Sequence, residues 1–275
     1  MKLLTTVMGI ISVDQTTNNM LKLTELFNVA IPVAKGNQLP LLCKYEDAVE
    51  VHGETGMKGY NFPEPSRKAL ERHAVAEMKD CILNSKEKIT IVAIGPLTNL
   101  ALLLSAYPEV KQKIAEIVIM GGSTSLGNMT SSTEFNIYVD PHAAQMVLQS
   151  GLPITMFGLN VTDSALLKKK DVNQIKTFGK AGEMLYAILT NYRGGSLETG
   201  LKIHDACTIA YLLNPALFKF KDYFMEVALE GPAAGTTVAD LYMKYHDSPN
   251  VKVCIEIDAK NFPKWIVEQL GNINR

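Results

Sequence analysis

The segment of this 275-residue chain with the most evident chemistry runs from Gly127 to Pro141 and gathers amide and carboxylate side chains. Asn128, Glu134 and Asn136 could bind several neighbouring hydroxyl groups at once, because an amide both donates and accepts hydrogen bonds whereas a carboxylate only accepts them. In an extended backbone Glu134 and Asn136 would share one face. The set predicts a polyol ligand, such as a sugar. The alternative is a plain polar loop before a capped helix.

A second candidate is the dipeptide His204-Asp205, which directly precedes the apolar run Ala206–Leu213. In a functional interpretation Asp205 is a ligand of a hard cation and His204 donates a proton to a leaving group. In the alternative, Asp205 is an ordinary helix N-cap with an incidental histidine beside it. The dipeptide alone does not decide between them.

Three further segments could form the walls of a site. The turn Gly95–Asn99 would let backbone carbonyls approach a ligand or ion, or it is a simple turn between a strand and a helix. The glycine-rich segment His52–Gly59 lacks the residue order of dinucleotide-binding and phosphate-binding loops, which leaves a surface loop as its alternative. Tyr192 precedes Arg193-Gly194-Gly195 and could stack on a base from a flexible lid, or it simply ends a helix.

The elements that must position these groups alternate between strand and helix patterns. Continuous apolar runs bounded by Gly or Pro indicate strands covered on both faces, hence a parallel sheet. These runs are Leu3–Val7, Ile31–Ala34, Ile89–Ile94, Ile117–Met120 and Ile154–Phe157. Helix patterns lie between them, at residues 14–27 with Asp14 as cap, 65–84, 98–105 and 140–149 with Asp140 as cap. The alternation predicts a doubly wound α/β domain.

The pattern changes after about residue 160. Helices are predicted over residues 163–192 and from about His204, and a last helix contains Trp265. Between them, the segments Phe224–Leu229, Thr236–Tyr242 and Val251–Ile257 are typical of antiparallel strands. We therefore expect one domain over residues 1–275, with a mostly parallel sheet and a short antiparallel addition near the C-terminus.

Composition narrows the classes of function. The formal net charge is −1, which argues against a nucleic-acid surface. No apolar run reaches the roughly 18–20 residues that span a bilayer, so we expect no membrane partner. The four cysteines are scattered singly, as is typical of reduced thiols, and a cytoplasmic location is expected.

Taken together and in this order, these segments resemble the inosine-uridine preferring nucleoside hydrolases, from residue 3 to about residue 270. Each motif is weak individually, and the specificity comes from their combination. The segments that carry the resemblance are His52-Gly53-Glu54-Thr55-Gly56, Gly95-Pro96-Leu97-Thr98-Asn99, Ile119-Met120-Gly121-Gly122, Glu134-Phe135-Asn136-Ile137 with Asp140-Pro141, and His204-Asp205.

The resemblance implies hydrolysis of the bond between ribose and a nucleobase, with a Ca²⁺ ion at the floor of the pocket. In such enzymes the ion acidifies a water molecule, and the ribose passes through an oxocarbenium-like state. By position, Asn128, Glu134 and Asn136 would bind the ribose hydroxyls. Asp205 and the backbone carbonyl of Ile94 would bind calcium.

Carried over in the same way, His204 would lie beside the base as an acid. The family usually forms homodimers or homotetramers, and the same is expected here. Purine or pyrimidine preference is not readable from these residues.

Two departures from the family pattern stand out. The family begins with a strand and an Asp-x-Asp-x-Gly-x-Asp-Asp loop that supplies the water-activating aspartate. Here Asp14 and Glu25 are the only acidic residues before Glu46, and Ile10 replaces a usual asparagine. We therefore expect an N-terminally incomplete hydrolase with weak or absent calcium binding and impaired activity. The alternatives are a catalytically inactive homologue that binds nucleosides or sugars, or an unrelated sugar-binding module.

Overall fold

The computed structural model describes residues 1–45, 56–192 and 195–273. Its ten described α-helices are α1 (Val13–Leu26), α2 (Ala74–Leu83), α3 (Thr98–Ala106), α4 (Phe135–Val139), α5 (Pro141–Leu148), α6 (Leu159–Thr162), α7 (Lys169–Ile175), α8 (Gly179–Asn191), α9 (Ala206–Leu213) and α10 (Phe262–Asn272). Short 3₁₀ helices cover Pro108–Lys113, Pro215–Leu217 and Gly231–Ala233.

Eleven β-strands accompany these helices in the described residues. They are β1 (Leu4–Thr6), β2 (Val33–Lys35), β3 (Ile89–Ala93), β4 (Ile114–Met120), β5 (Ile154–Phe157), β6 (Leu166–Leu167), β7 (Gly195–Ser196), β8 (Gly200–Lys202), β9 (Phe218–Val227), β10 (Thr237–Asp240) and β11 (Val251–Ile257).

A six-stranded sheet with the order β10-β9-β11-β5-β4-β3 forms the centre of the molecule. The pairs β3–β4, β4–β5 and β5–β11 are parallel, whereas β9 runs antiparallel to both β11 and β10. The predicted α/β fold with a mainly parallel sheet and an antiparallel C-terminal addition is confirmed. The short antiparallel sheet β6-β8-β7 was not predicted, because strands of two or three residues leave no hydrophobic period in the sequence.

Strands β1 and β2 form a separate parallel pair. Among the described residues, β3 pairs only with β4, so its other edge faces away from the six-stranded sheet. The side chain of Asn99, at the start of α3, ties the two sheets together. Its amide donates to the Thr6 carbonyl at 2.9 Å and accepts from the Asn37 backbone N–H at 3.0 Å.

Apolar side chains cover both faces of the sheet, as the continuous hydrophobic runs predicted. On one face Ile117, Ile119 and Met156 pack with residues of α2, α3 and α5. On the other face Val118 and Phe157 pack with residues of α9 and α10. Burial on both faces accounts for the lack of alternation in β4 and β5.

Two predicted helix starts are wrong. Helix α1 is capped by Ser12, whose hydroxyl accepts from the Gln15 N–H, while Asp14 forms an ion pair with Lys35. Helix α2 begins at Ala74, after the His73 cap, and not near residue 65. The preceding segment is held in a non-helical path because the Leu70 N–H donates to the Val33 carbonyl at 2.7 Å.

Within the described part of the chain, no helix combines the length and hydrophobicity needed to cross a membrane.

Candidate active site

Three parallel strands bring the predicted site segments to one edge of the sheet. Ile94 follows β3, Gly121-Gly122 follows β4 and Gly158 follows β5. Ile94 is 48% exposed and directly follows β3, an edge strand of the six-stranded sheet. The carboxyl ends of parallel strands are where ligands bind in α/β sheets, so this edge is the candidate site.

Glu134 lies at this edge and caps helix α4. Its Oε1 accepts from the Asn136 N–H at 2.9 Å, and its Oε2 accepts from the N–H groups of Gly122 at 2.9 Å and Ile137 at 3.2 Å. Burial and, to a smaller extent, the charge of Asp205 raise the pKa of Glu134 to about 7, while the three hydrogen bonds act to lower it. Glu134 and Asp205 therefore belong to one site.

The two asparagines of the predicted sugar-binding set contact the backbone near this carboxylate. Asn136 is buried within α4 and donates from Nδ2 to the Met120 carbonyl at 3.0 Å. Asn128 is exposed, and its Oδ1 accepts from the Phe135 N–H at 2.9 Å. Glu134 and Asn136 do not share the face of an extended segment, because the backbone turns into a helix between them.

His204 contacts helix α6, which begins directly after β5 at the same edge. Its Nδ1 lies 2.8 Å from the hydroxyl oxygen of Thr162. Burial lowers the pKa of His204, and Lys202 lowers it further while Asp163 opposes both. The His204 carbonyl accepts from the Cys207 N–H at 3.2 Å, which places the imidazole at the start of α9.

Asp205 occupies the N-cap position of α9 but makes no capping hydrogen bond with its side chain. The residue is exposed to solvent, yet surrounding protein raises the pKa of its carboxyl group to about 6 by desolvation. Asp205 is therefore open to a ligand from solvent while protein surrounds its carboxyl group, and this opening is the candidate cleft. The interpretation of Asp205 as an ordinary helix cap is therefore not what the geometry shows.

Tyr192 completes the surroundings of this carboxylate. Burial raises the pKa of the Tyr192 hydroxyl, and the charge of Asp205 contributes to the same shift. Tyr192 ends α8, so an aromatic ring lies close to the floor of the cleft. Residues 193 and 194 of the predicted lid lie outside the described residues, as do residues 52–55 of the glycine-rich segment.

The turn Gly95–Asn99 connects the site to its support. Besides the contacts of Asn99, the Thr98 hydroxyl donates to Asp140 Oδ2 at 2.6 Å. Asp140 also accepts from the N–H groups of Leu41 and Ala143, so its predicted capping role is present with two additional contacts.

The described residues do not form a calcium site by themselves. No cluster of three or more His, Cys, Asp or Glu side chains suited to a metal occurs in the part of the chain that the structure describes. Asp205 is suited to bind a cation, since its carboxylate is surrounded by protein and has no cationic partner among the described residues. One carboxylate and the Ile94 carbonyl nevertheless fall far short of the 6–8 oxygens that Ca²⁺ takes.

Sequence reasoning missed Thr162. The residue is fully buried and lies 42 positions before His204. Threonine in an apolar segment is usually a packing residue, so no local signal marks this one as a partner of an imidazole. Only the packing of α6 against the start of α9 brings the two side chains together.

The comparisons with known proteins agree with this geometry. A family model described as inosine-uridine preferring nucleoside hydrolase matches residues 1–264. A non-specific ribonucleoside hydrolase RihC from Escherichia fergusonii is 45% identical over 272 residues, which are 98% of this chain and 90% of that protein. The protein of the same description from Klebsiella pneumoniae is 44% identical with the same coverage.

Solved structures show the same similarity. A purine-preferring ribonucleoside hydrolase from Gardnerella vaginalis superposes with a TM-score of 0.91 at 29% identity, over 98% of this chain and 89% of that one. A plant nucleoside hydrolase gives a TM-score of 0.89 at 29% identity, over 98% and 90%. The chain belongs to the inosine-uridine preferring nucleoside hydrolase family. None of these matches supports the expectation of impaired activity.

Proposed function

We propose that this protein hydrolyses the N-glycosidic bond of ribonucleosides, giving ribose and a free base. The observation that carries the proposal is the grouping of Glu134 and Tyr192 around Asp205 at the carboxyl edge of the sheet, where the charge of Asp205 contributes to the raised pKa of both groups. Two carboxyl groups beside an aromatic ring and an imidazole suit a ligand with a polyol half and a planar half. A ribonucleoside has both.

The polyol half is assigned to the segment around α4. Glu134 retains acceptor capacity on Oε1, which takes only one described hydrogen bond, so it can accept from a ribose hydroxyl. Asn136, whose backbone N–H donates to Glu134, and Asn128, whose side chain accepts from the Phe135 N–H, would supply amide groups. We assign the binding of the ribose hydroxyls to Asn128, Glu134 and Asn136.

The planar half is assigned to His204 and Tyr192. The imidazole can donate a hydrogen bond to the base as the glycosidic bond breaks, which stabilises the leaving group. Because the RihC relatives are named as non-specific ribonucleoside hydrolases, we propose that both purine and pyrimidine ribonucleosides are substrates.

Calcium enters the proposal only as a weakly held ion. Asp205 and the Ile94 carbonyl are the groups of this chain that would contact it, and the ion would polarise a water molecule when bound. No further step is assigned to it, because the described residues supply too few oxygens.

The test of the proposed function is release of ribose from inosine and uridine by the purified 275-residue chain, with and without added calcium. We expect ribose release that His204→Ala reduces by roughly 10²-fold or more, as for loss of a group acting on the leaving base. Asp205→Ala should reduce it as well, because this variant removes the carboxylate assigned to the ion that polarises water. Lys244→Ala, on an exposed loop, is the control. A folded protein that binds nucleosides without releasing ribose would refute the proposal.

Two further proposals concern the location of the protein and its assembly. We propose a cytoplasmic protein, since all four cysteines are free thiols. A homodimer or homotetramer is proposed from the family resemblance, and sedimentation analysis would test it.

A further inference from the structure

The contact between Thr162 and His204 constrains where the imidazole carries its hydrogen. Thr162 is fully buried, so water does not reach its hydroxyl group. Among the described residues, the one hydrogen-bond partner of that hydroxyl is His204 Nδ1, at 2.8 Å. A buried hydroxyl hydrogen without an acceptor is costly, so the hydroxyl donates to Nδ1. The nitrogen that accepts must then be unprotonated.

In a neutral imidazole one nitrogen donates and the other accepts. Since Nδ1 accepts from Thr162, the hydrogen of neutral His204 lies on Nε2, at the opposite edge of the ring. No described residue accepts a hydrogen bond from Nε2. This edge is therefore available to a ligand.

Helix α6 fixes Thr162 relative to the rest of the site. The Gly122 N–H donates to Glu134, and the Gly122 carbonyl accepts from the Leu159 N–H at 2.9 Å. A Cβ atom at Gly158 would lie 2.9 Å from that same carbonyl, so only glycine permits this close approach. The one-turn helix α6 is therefore attached at its first residue to the Gly122 turn that holds Glu134, and at its last residue to the imidazole of His204.

We propose that Thr162 is a positioning residue: its hydroxyl group donates to Nδ1 of His204 and so keeps the ring hydrogen on Nε2, at the edge open to a ligand. This rests on the proposed function. From that edge His204 donates a hydrogen bond to the departing nucleobase and stabilises the negative charge that develops on it.

The direct test is nitrogen-15 NMR of the histidine side chains in the full chain, with His204 assigned from its absence in His204→Gln. We expect the pattern of a neutral ring protonated on Nε2 at pH 7.5, in the wild type and in Thr162→Ser. In Thr162→Val the two neutral tautomers should both be populated. Thr24→Val, which removes another buried hydroxyl from a distant helix, should leave the pattern unchanged. A wild-type ring protonated on Nδ1, or on both nitrogens, would overturn the proposal.

Kinetics with two leaving groups separate positioning from mere loss of structure. With inosine, Thr162→Val should lower kcat by roughly tenfold, as for about one lost hydrogen bond, and Thr162→Ser should restore it. With a nitrophenyl riboside, whose nitrophenolate leaves without assistance, kcat should change by less than about twofold. Equal losses on both substrates would overturn the proposal. If the wild type cleaves neither substrate, the proposed function fails, while NMR still decides the state of His204.

Discussion

Glu134 combines a structural and a chemical role in one carboxyl group. It accepts from two backbone N–H groups at the start of α4 and from the Gly122 N–H after β4, and its burial raises its pKa to about 7. The segment Gly127–Pro141 could be predicted as a ligand-binding set from residue types alone. The role of Glu134 as a helix cap could not be predicted, because Glu134 and Asn136 also fit an extended segment. The contact of Glu134 with the Gly122 N–H, which favours the helix start, depends on the fold.

The raised pKa of Glu134 predicts a pH-dependent stability. A carboxyl group with a folded-state pKa above its unfolded value stabilises the fold fully below about pH 4.5, and this contribution is lost as the pH rises through about 7. Urea unfolding between pH 5 and pH 8 should show wild-type stability falling by about 3 kcal/mol at most relative to Glu134→Gln. The surface variant Glu230→Gln should follow the wild type. Parallel pH profiles for wild type and Glu134→Gln would contradict this assignment.

The small number of oxygen ligands around Asp205 predicts weak calcium binding. A single deep carboxylate and one carbonyl are too few oxygens for a tight site, as the sequence already suggested. Calorimetric titration of the purified chain should show little heat in the micromolar calcium range, and Asp205→Asn should remove what remains. A stoichiometric site of micromolar affinity that survives Asp205→Asn would show that other ligands hold the ion.

At the scale of elements, apolar runs were the most reliable guide. Strands β5 and β11 begin and end where the sequence predicts, because each run is short, continuous and bounded by polar or turn residues. Helix α2 was predicted too long because the residues before it have helical composition, while their backbone bonds to β2. Long-range pairing of that kind leaves no trace in local periodicity.

Asp140 connects three segments of the chain, and its replacement should strongly lower the free energy of unfolding. Its fully buried carboxylate accepts from the Leu41 N–H, the Thr98 hydroxyl and the Ala143 N–H. Asp140→Ala leaves three donors without a partner, and a loss of about 3 kcal/mol or more in the free energy of unfolding is expected.

Asp140→Asn keeps one acceptor oxygen and should recover part of that loss. As the matched comparison, Asp258→Ala removes an exposed carboxylate that accepts from the Asn261 N–H before α10 and should cost about 1 kcal/mol. Chemical denaturation measures both. Equal losses of unfolding free energy in Asp140→Ala and Asp258→Ala would show that burial of the Asp140 hydrogen bonds adds nothing to stability.

At the scale of the molecule, the family resemblance predicted the fold over most of the chain. It did not predict how the sheets divide, since adjacency of strands is a property of the three-dimensional arrangement. The prediction of one domain over residues 1–275 stays a prediction.

The separation of β1–β2 from the six-stranded sheet has a dynamic consequence, because a short two-stranded pair buries fewer backbone hydrogen bonds than a central strand.

Two amide groups allow a matched measurement of that consequence. The Leu4 N–H donates to the carbonyl of Pro32 at 3.0 Å, and the Ile117 N–H donates to the carbonyl of Pro153 at 2.9 Å. The bonds are alike, but Leu4 lies in the two-stranded pair while Ile117 lies in β4, which is covered on both faces. In native-state hydrogen exchange the Leu4 amide should exchange at least roughly 100-fold faster than the Ile117 amide.

Asn99→Ala sharpens the comparison, because it removes the side chain that joins Thr6 to the start of α3. Exchange at Leu4 should accelerate further in this variant, while exchange at Ile117 changes much less. The reason is that Asn99 stabilises the attachment of the smaller sheet, and β4 keeps its neighbours β3 and β5 when that attachment opens. Equal protection of the two amides in the wild type, or equal acceleration in Asn99→Ala, would mean that both sheets open as one cooperative unit.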